Sequence, residues 1–171
     1  ITVSESAFAM LPDHVRSPDP GHWCFWMLDP QTVTLAPTTA VELALDDPRI
    51  GPLLEYSDSA HIFPGDSAIV RWSGVIDGDR LVAVAGQITE PSGAAHLVSV
   101  CTDPNHRGRR LARQACLGIM HRAVADGAPM LVLEMYAANE AGRSAYSELG
   151  FVEAGTYRSG LLDPGGRRVP A

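Results

Sequence analysis

Residues 96–112 read HLVSVCTDPNHRGRRLA, and the fold turns on how this stretch divides. Its first part, HLVSVCT (96–102), is apolar and β-branched and reads as a strand. Asp103 and Pro104 break the run, and Arg107, Arg109, Arg110 and Arg113 then crowd around Gly108. Leu111, Ala115, Ile119 and Val124 recur near helical spacing, so a helix is expected over 108–125, stopped at Gly127 and Pro129. A strand that feeds a helix through such a turn suits an anion. The helix start offers unpaired N–H groups and a partial positive charge. Gly108 lets the backbone come close to a ligand, and the guanidinium groups add charge-assisted hydrogen bonds. The combination fits a phosphate or pyrophosphate. It is neither G-x-x-x-x-G-K-[ST] nor G-x-G-x-x-G.

Upstream, AIVRWSGVID (68–77) and RLVAVAGQITE (80–90) read as two strands joined by a hairpin turn at Asp77-Gly78-Asp79. Downstream come a strand, MLVLEMY (130–136), and a helix, EAGRSAYSEL (140–149), stopped at Gly150. FVEAGTYRSGLL, the turn DPGG and RRVPA suggest a last hairpin. Near the start, WCFWML (23–28) is apolar on both alternating faces, so it fits a buried strand or an interface strand, with TVTLA (32–36) as its hairpin partner. VELAL (41–45) looks helical, Pro48 and Pro52 interrupt it, and LLEYS (53–57) starts a second short helix. The order of elements describes an α/β sheet with helical crossovers.

Composition narrows the function classes. The 171 residues fit one domain with a substantial core. A net charge of −7 makes nucleic acid a poor partner. No apolar run approaches the roughly 20 residues of a membrane helix, and no signal-peptide pattern opens the chain, so a cytoplasmic location without a membrane partner is expected. The chain begins at Ile1, as one trimmed or cut from a longer protein would. Cys24, Cys101 and Cys116 are widely spaced, and His14, His22, His61 and His121 form no ligand spacing, so no metal is expected. His106, in the arginine-rich loop, is expected to face solvent.

Arg107-Gly108-Arg109-Arg110-Leu111-Ala112, after its strand, resembles the Q/R-x-x-G-x-G/A phosphate loop of the GCN5-related N-acetyltransferases (GNAT). Arg107, Leu111 and Ala112 fit, and Arg110 stands where the family usually has glycine. NEAGRSAYSELGF (139–151) is similar to the family's N-x-x-A-x-x-L-Y-x-x-L-G-F segment, with Gly142 at the alanine and Ala145 at the leucine. The resemblance spans roughly 96 to 157 and implies a GNAT fold: a mixed central sheet flanked by helices in one α/β domain over 38–171. Residues 1–37 stay apart as a segment of possible extra strands.

The resemblance also implies acetyl transfer from acetyl-CoA to a primary amine, on a small molecule or a protein N-terminus. The amides of Arg107, Gly108, Arg109, Arg110, Leu111 and Ala112 would take the pyrophosphate. The Arg110 side chain is expected to swing outward, towards the 3′-phosphate. The amide of Val100 would meet the thioester oxygen and Thr102 the pantetheine arm. Tyr146 would be the general acid for the leaving thiolate, and Asn139 would hold the cofactor backbone, although Asn is also a favoured helix N-cap. Glu134, in LEMYAAN, is similar to the glutamate of LEV-x-x-x-N in the ribosomal-protein alanine N-terminal acetyltransferases, a base candidate there. A structural hydrogen bond or salt bridge is its plain alternative. Glu90 and His96, near the ends of adjacent strands, are weaker base candidates. Two other readings stay open: a non-catalytic acyl-CoA-binding or regulatory module, and one domain of a larger assembly, a homodimer included, joined through WCFWML.

Overall fold

A computed structural model describes residues 1–17 and 19–160. In chain order the elements are β1 (Thr2–Ser4), α1 (Glu5–Met10), β2 (Gly21–Leu28), β3 (Val41–Leu43), α2 (Ile50–Leu54), β4 (Ile69–Asp77), β5 (Arg80–Thr89), β6 (Ala95–Thr102), α3 (Leu111–Ala125), β7 (Leu131–Tyr136), α4 (Glu140–Glu148) and β8 (Val152–Ser159). The eight strands among the described residues form one sheet in the order β1-β8-β2-β7-β6-β5-β4-β3. Every pairing is antiparallel except β6 with β7. A parallel neighbour requires a crossover, and α3 supplies it.

Each face of the sheet buries a different part of the chain. Ala115, Ile119, Met120 and Ala123 of α3 pack against Ala83, Ala85, Leu97 and Leu133. On the other face, Ile50, Leu53 and Leu54 of α2 meet Trp72, Val84 and Val98. Trp72 pairs with Gly86 across the β4–β5 hairpin, where a Cβ would stand 2.6 Å from the indole ring, so no larger residue fits beside it.

Several local expectations change in the folded chain. TVTLA makes no strand: a 3₁₀ turn at Pro30–Thr32 leads into an extended segment whose Val33, Leu35 and Ala36 pack on the core. The partners of β2 are instead β7 and β8, one on each side, which places WCFWML inside this chain's own sheet. VELAL is not a helix, because Val41–Leu43 pair with Trp72–Gly74 at the sheet edge. Leu, Ala and Glu are good helix formers, and only a partner strand distant in sequence overrides them. Pro52 interrupts nothing, since it lies in the first turn of α2, where its missing N–H costs little. Helix α3 begins at Leu111 rather than 108 because Gly108 (φ +77°) and Arg110 (φ +59°) turn the backbone first. The strand FVEAGTYRS stands as β8, but the DPGG turn and the arm after it lie outside the described residues. Among the described residues no helix is long and apolar enough to cross a membrane.

Candidate functional site

β6 and β7 stay paired only from Ala95, His96 and Leu97 to Leu131, Val132 and Leu133. Beyond that point β6 kinks at Ser99, whose φ is +49°. Its register against β5 slips between Val84 and Gly86. The loop after α2 holds the kink: Ser99 Oγ donates to the Ile62 carbonyl at 2.7 Å and accepts from the Ile62 amide at 3.3 Å. A bulge beside a parallel neighbour bends the strand and ends the ladder. The two strands therefore part, and a cleft opens between them.

The cleft has two halves. One, about 640 Å³, is lined by Thr102, Arg107, Ala112, Arg113 and the α4 residues Ala141 and Ala145. The other, about 500 Å³, is lined by Trp23, His61, His96, Glu134 and Tyr157. Val100, Tyr136, Asn139 and Tyr146 line both, as do Asp58 and Ser59. Not all of the expected residues line this cleft: Gly108, Arg109, Arg110 and Leu111 do not. Val100, Tyr146 and Asn139 stand at the junction, Thr102, Arg107 and Ala112 in the larger half, and Glu134 in the smaller.

The arginine-rich turn fits a phosphate-bearing group. The backbone N–H groups from Arg107 to Ala112 have no hydrogen-bond partner among the described residues. A Cβ at Gly108 would meet nothing within 4 Å, so glycine stands there for its positive φ and not for lack of room. Arg110 adopts the left-handed backbone itself, as a glycine would. Its side chain leaves the turn, is largely exposed, and reaches Glu148 Oε1 on α4 at 3.5 Å. Arg109 also turns away, with Nη1 3.5 Å from Asp77 Oδ2. Neither Arg109, Arg110 nor Leu111 lines the cleft, and Leu111 packs on the core. Their amides remain available. Arg113 was not marked as a site residue by its sequence position, yet it lines the larger half and its Nε is buried without a partner. Its place in the first turn of the helix, one turn from the arginine-rich loop, is the signal the sequence offers.

Below the turn, Asp103 is buried and braced by its neighbours. Its carboxylate accepts from the Asn105 amide at 2.8 Å and lies 3.1 Å from both His106 Nδ1 and Arg80 Nη2. The hydrogen bond from His106, then that from Asn105, hold its carboxyl below the usual range. His106 is therefore not a solvent-facing residue: it is largely buried between Asp103 and Asp77 and shapes the entry to the turn.

At the junction, the Tyr146 ring packs edge-on against Phe151, centroids 6.2 Å apart, with part of its surface facing the cleft. Burial, helped by nearby Cys116, pushes its phenol well above the usual range, so it keeps its proton throughout the neutral region. Asn139 caps α4: its Oδ1 accepts from the Gly142 amide at 2.8 Å, leaving its NH₂ as a free donor. A Cβ at residue 142 would lie 2.6 Å from Asn139 Nδ2 and 2.9 Å from Met135 Sδ, so a larger residue there would press on the capping side chain.

Glu134 is exposed to the smaller half and makes no hydrogen bond or ion pair among the described residues. Glu90 and His96 pair with each other, Oε1 to Nδ1 at 2.6 Å, with His96 at the wall of the same half. Sequence reading missed Asp58 and Ser59, which come from a loop without motif, and Trp23, Tyr136 and Tyr157, which lie far apart in the chain. Trp23 and Tyr136 stack at 4.0 Å with a 25° interplanar angle, and Trp23 Nε1 donates to Ser159 Oγ at 2.8 Å.

This parting of a parallel strand pair above the start of α3 coincides with the segment that a known family matches. The profile of the Acetyltransferase (GNAT) family covers residues 38–151. The chain belongs to the GNAT family. Among solved structures, a GNAT-family protein described as an acetyltransferase, from Novosphingobium aromaticivorans, is 25% identical with a TM-score of 0.73, over 88% of this chain and 68% of its own. A GCN5-related N-acetyltransferase from Kribbella flavida is 18% identical with a TM-score of 0.64, over 86% of this chain and 59% of its own. The ribosomal-protein-S18-alanine N-acetyltransferase of Escherichia coli is 18% identical with a TM-score of 0.55, over 74% of this chain and 97% of its own. This chain thus spans little more than half the length of the Kribbella protein. No curated protein matches the sequence significantly. Family membership carries the general activity, acyl transfer from an acyl-CoA to an amine.

Proposed function

We propose that this GNAT protein transfers an acetyl group from acetyl-CoA directly to a primary amine. The observation that carries the reading is the junction, where Val100 and Tyr146 border both halves of one cleft. Only there can a group bound in the larger half meet a nucleophile bound in the smaller. The thioester supplies an activated acyl carbon and a good leaving group. The free amides of Arg107 to Ala112 hold the pyrophosphate, with Arg113 Nε as an added buried donor. The NH₂ of Asn139 and the backbone of Thr102 hold the pantetheine arm. The Val100 amide faces the oxygen on which negative charge develops. Glu134 accepts the proton that the amine must lose before it attacks, and Tyr146 returns a proton to the departing thiolate. The Arg110 side chain is drawn to Glu148 and leaves the turn open to the cofactor.

Turnover of Tyr146→Phe against an amine panel tests the assignment. The expected result is a fall in kcat of roughly 10²-fold or more, with the Kd for acetyl-CoA nearly unchanged. Unchanged turnover removes Tyr146 from the proton path. Absence of acetyl-CoA binding by calorimetry to the wild-type protein overturns the whole reading.

A further inference from the structure

The two halves of the cleft differ in charge. Arg107 and Arg113 line the cofactor half. The acceptor half is lined by Glu134 and, at the junction, Asp58, and by no arginine among the described residues. The sequence contains no lysine. The other titratable groups on this wall are the imidazoles His61 and His96; His61 Nδ1 lies 3.2 Å from the Ser59 carbonyl, and His96 is tied to Glu90. Asp58, like Glu134, has no hydrogen-bond or ion-pair partner among the described residues. Aromatic rings form the rest: the stacked Trp23 and Tyr136, each with a face left over, and Tyr157. Ring faces attract cations and give flat apolar contact. Such a wall, with carboxylates and aromatics and no fixed positive charge among the described residues, attracts an ammonium and repels a carboxylate.

Resting on the acyl-transfer reading above, we propose that the acceptor is an amine with no carboxylate near its reacting nitrogen, carried on an aromatic or alkyl body. Charge disfavours zwitterionic amino acids. The body lies on Trp23, Tyr136 and Tyr157, while Asp58 at the junction selects the cation. Asp58 sits in an exposed loop and supports no buried contact, so its replacement leaves the fold intact. Its role is to set affinity for the incoming charge.

Matched pairs isolate the carboxylate: phenethylamine against phenylalanine, and 1,4-diaminobutane against ornithine. Two readouts are taken, formation of the acetylated amine by mass spectrometry and binding to the CoA-loaded protein by calorimetry. The expected result is a preference for the carboxylate-free member of each pair by roughly 10²-fold, in kcat/KM or in Kd. Asp58→Asn is expected to narrow that ratio by roughly tenfold, through KM and not kcat, and Asp58→Arg to narrow it further. Equal or better use of the amino acids overturns this inference and leaves the transferase reading standing. A preference unmoved by both Asp58 variants overturns the assignment to Asp58. Neither product nor binding for any of the four, with acetyl-CoA bound, removes the acceptor site and this inference together.

Discussion

Arg110 shows how one residue can break a family pattern and keep its geometry. A non-glycine residue in the left-handed region costs about 1–2 kcal/mol, and the exposed contact with Glu148 returns little of it. Glycine at this position also loses more chain entropy on folding, by about 0.5–1 kcal/mol. The strain is the larger of the two, so Arg110→Gly should raise stability slightly, by up to about 1 kcal/mol, and leave acetyl-CoA binding as it was. Arg110→Val should lower stability, because a β-branched residue tolerates φ near +59° worse. Thermal melts with calorimetric titration check both. Asp103 gives a prediction in pH. Its carboxyl is held low in the folded state, chiefly by His106, so its stabilising contribution is complete above the ordinary carboxylate range and is lost as pH falls through the folded value. Asp103→Asn should therefore lower Tm at neutral pH and flatten the fall in Tm on acidification. A variant that parallels the wild type across the acid limb would show that Asp103 does not contribute.

At the scale of elements, α3 lies so close to β4 that an ordinary rule reverses. Replacing a mid-helix glycine with alanine normally gains about 1 kcal/mol. At Gly118 a Cβ would stand 2.0 Å from Ser73 Oγ and 3.1–3.2 Å from the Cβ atoms of Ser73 and Ala40. Overpacking costs about 1–3 kcal/mol, so Gly118→Ala should destabilise. Adding Ser73→Ala should recover most of the loss in a double-mutant cycle. Additive effects would mean that the hydroxyl is not what α3 meets. The elements nearest the site were legible in sequence for local reasons: the strand before Asp103, the helix from Leu111 and the Asn139–Tyr146 spacing are each carried by neighbouring residues. β3 was not legible, since Val41–Leu43 are a strand only because β4 lies beside them. The acceptor wall was hidden for the same reason. Trp23, Asp58, Tyr136 and Tyr157 share no motif: β2 sets Trp23 between Tyr136 and Tyr157, and the loop after α2 brings Asp58.

For the molecule as a whole, the position of β2 is decisive. The family profile begins at residue 38, but the sheet that carries the site is completed by residues 21–28. Cys24, Trp26 and Leu28 are buried in the main core, beside Met135, Leu149 and Phe151. Losing one tryptophan from a core costs about 3–5 kcal/mol, and losing the strand also bares the ladders of β7 and β8. A chain cut to residues 38–171 should show no cooperative thermal transition, although it contains the whole family match. Cooperative melting of that fragment would mean that β2 is an accessory to the fold.

The sequence by itself determined the α/β alternation, the strand ending before Asp103, the glycine-bearing turn and the helix that follows it. Periodicity, turn chemistry and helix ends act within a few residues, so they survive in a linear reading. Tertiary structure decided which strands pair, that Arg110 turns away while its backbone stays glycine-like, and that Glu134 faces an acidic, aromatic cleft. Those outcomes follow from contacts between distant segments. Such contacts form only when burial of apolar surface and completion of backbone hydrogen bonds bring the segments together, and local propensity does not record them.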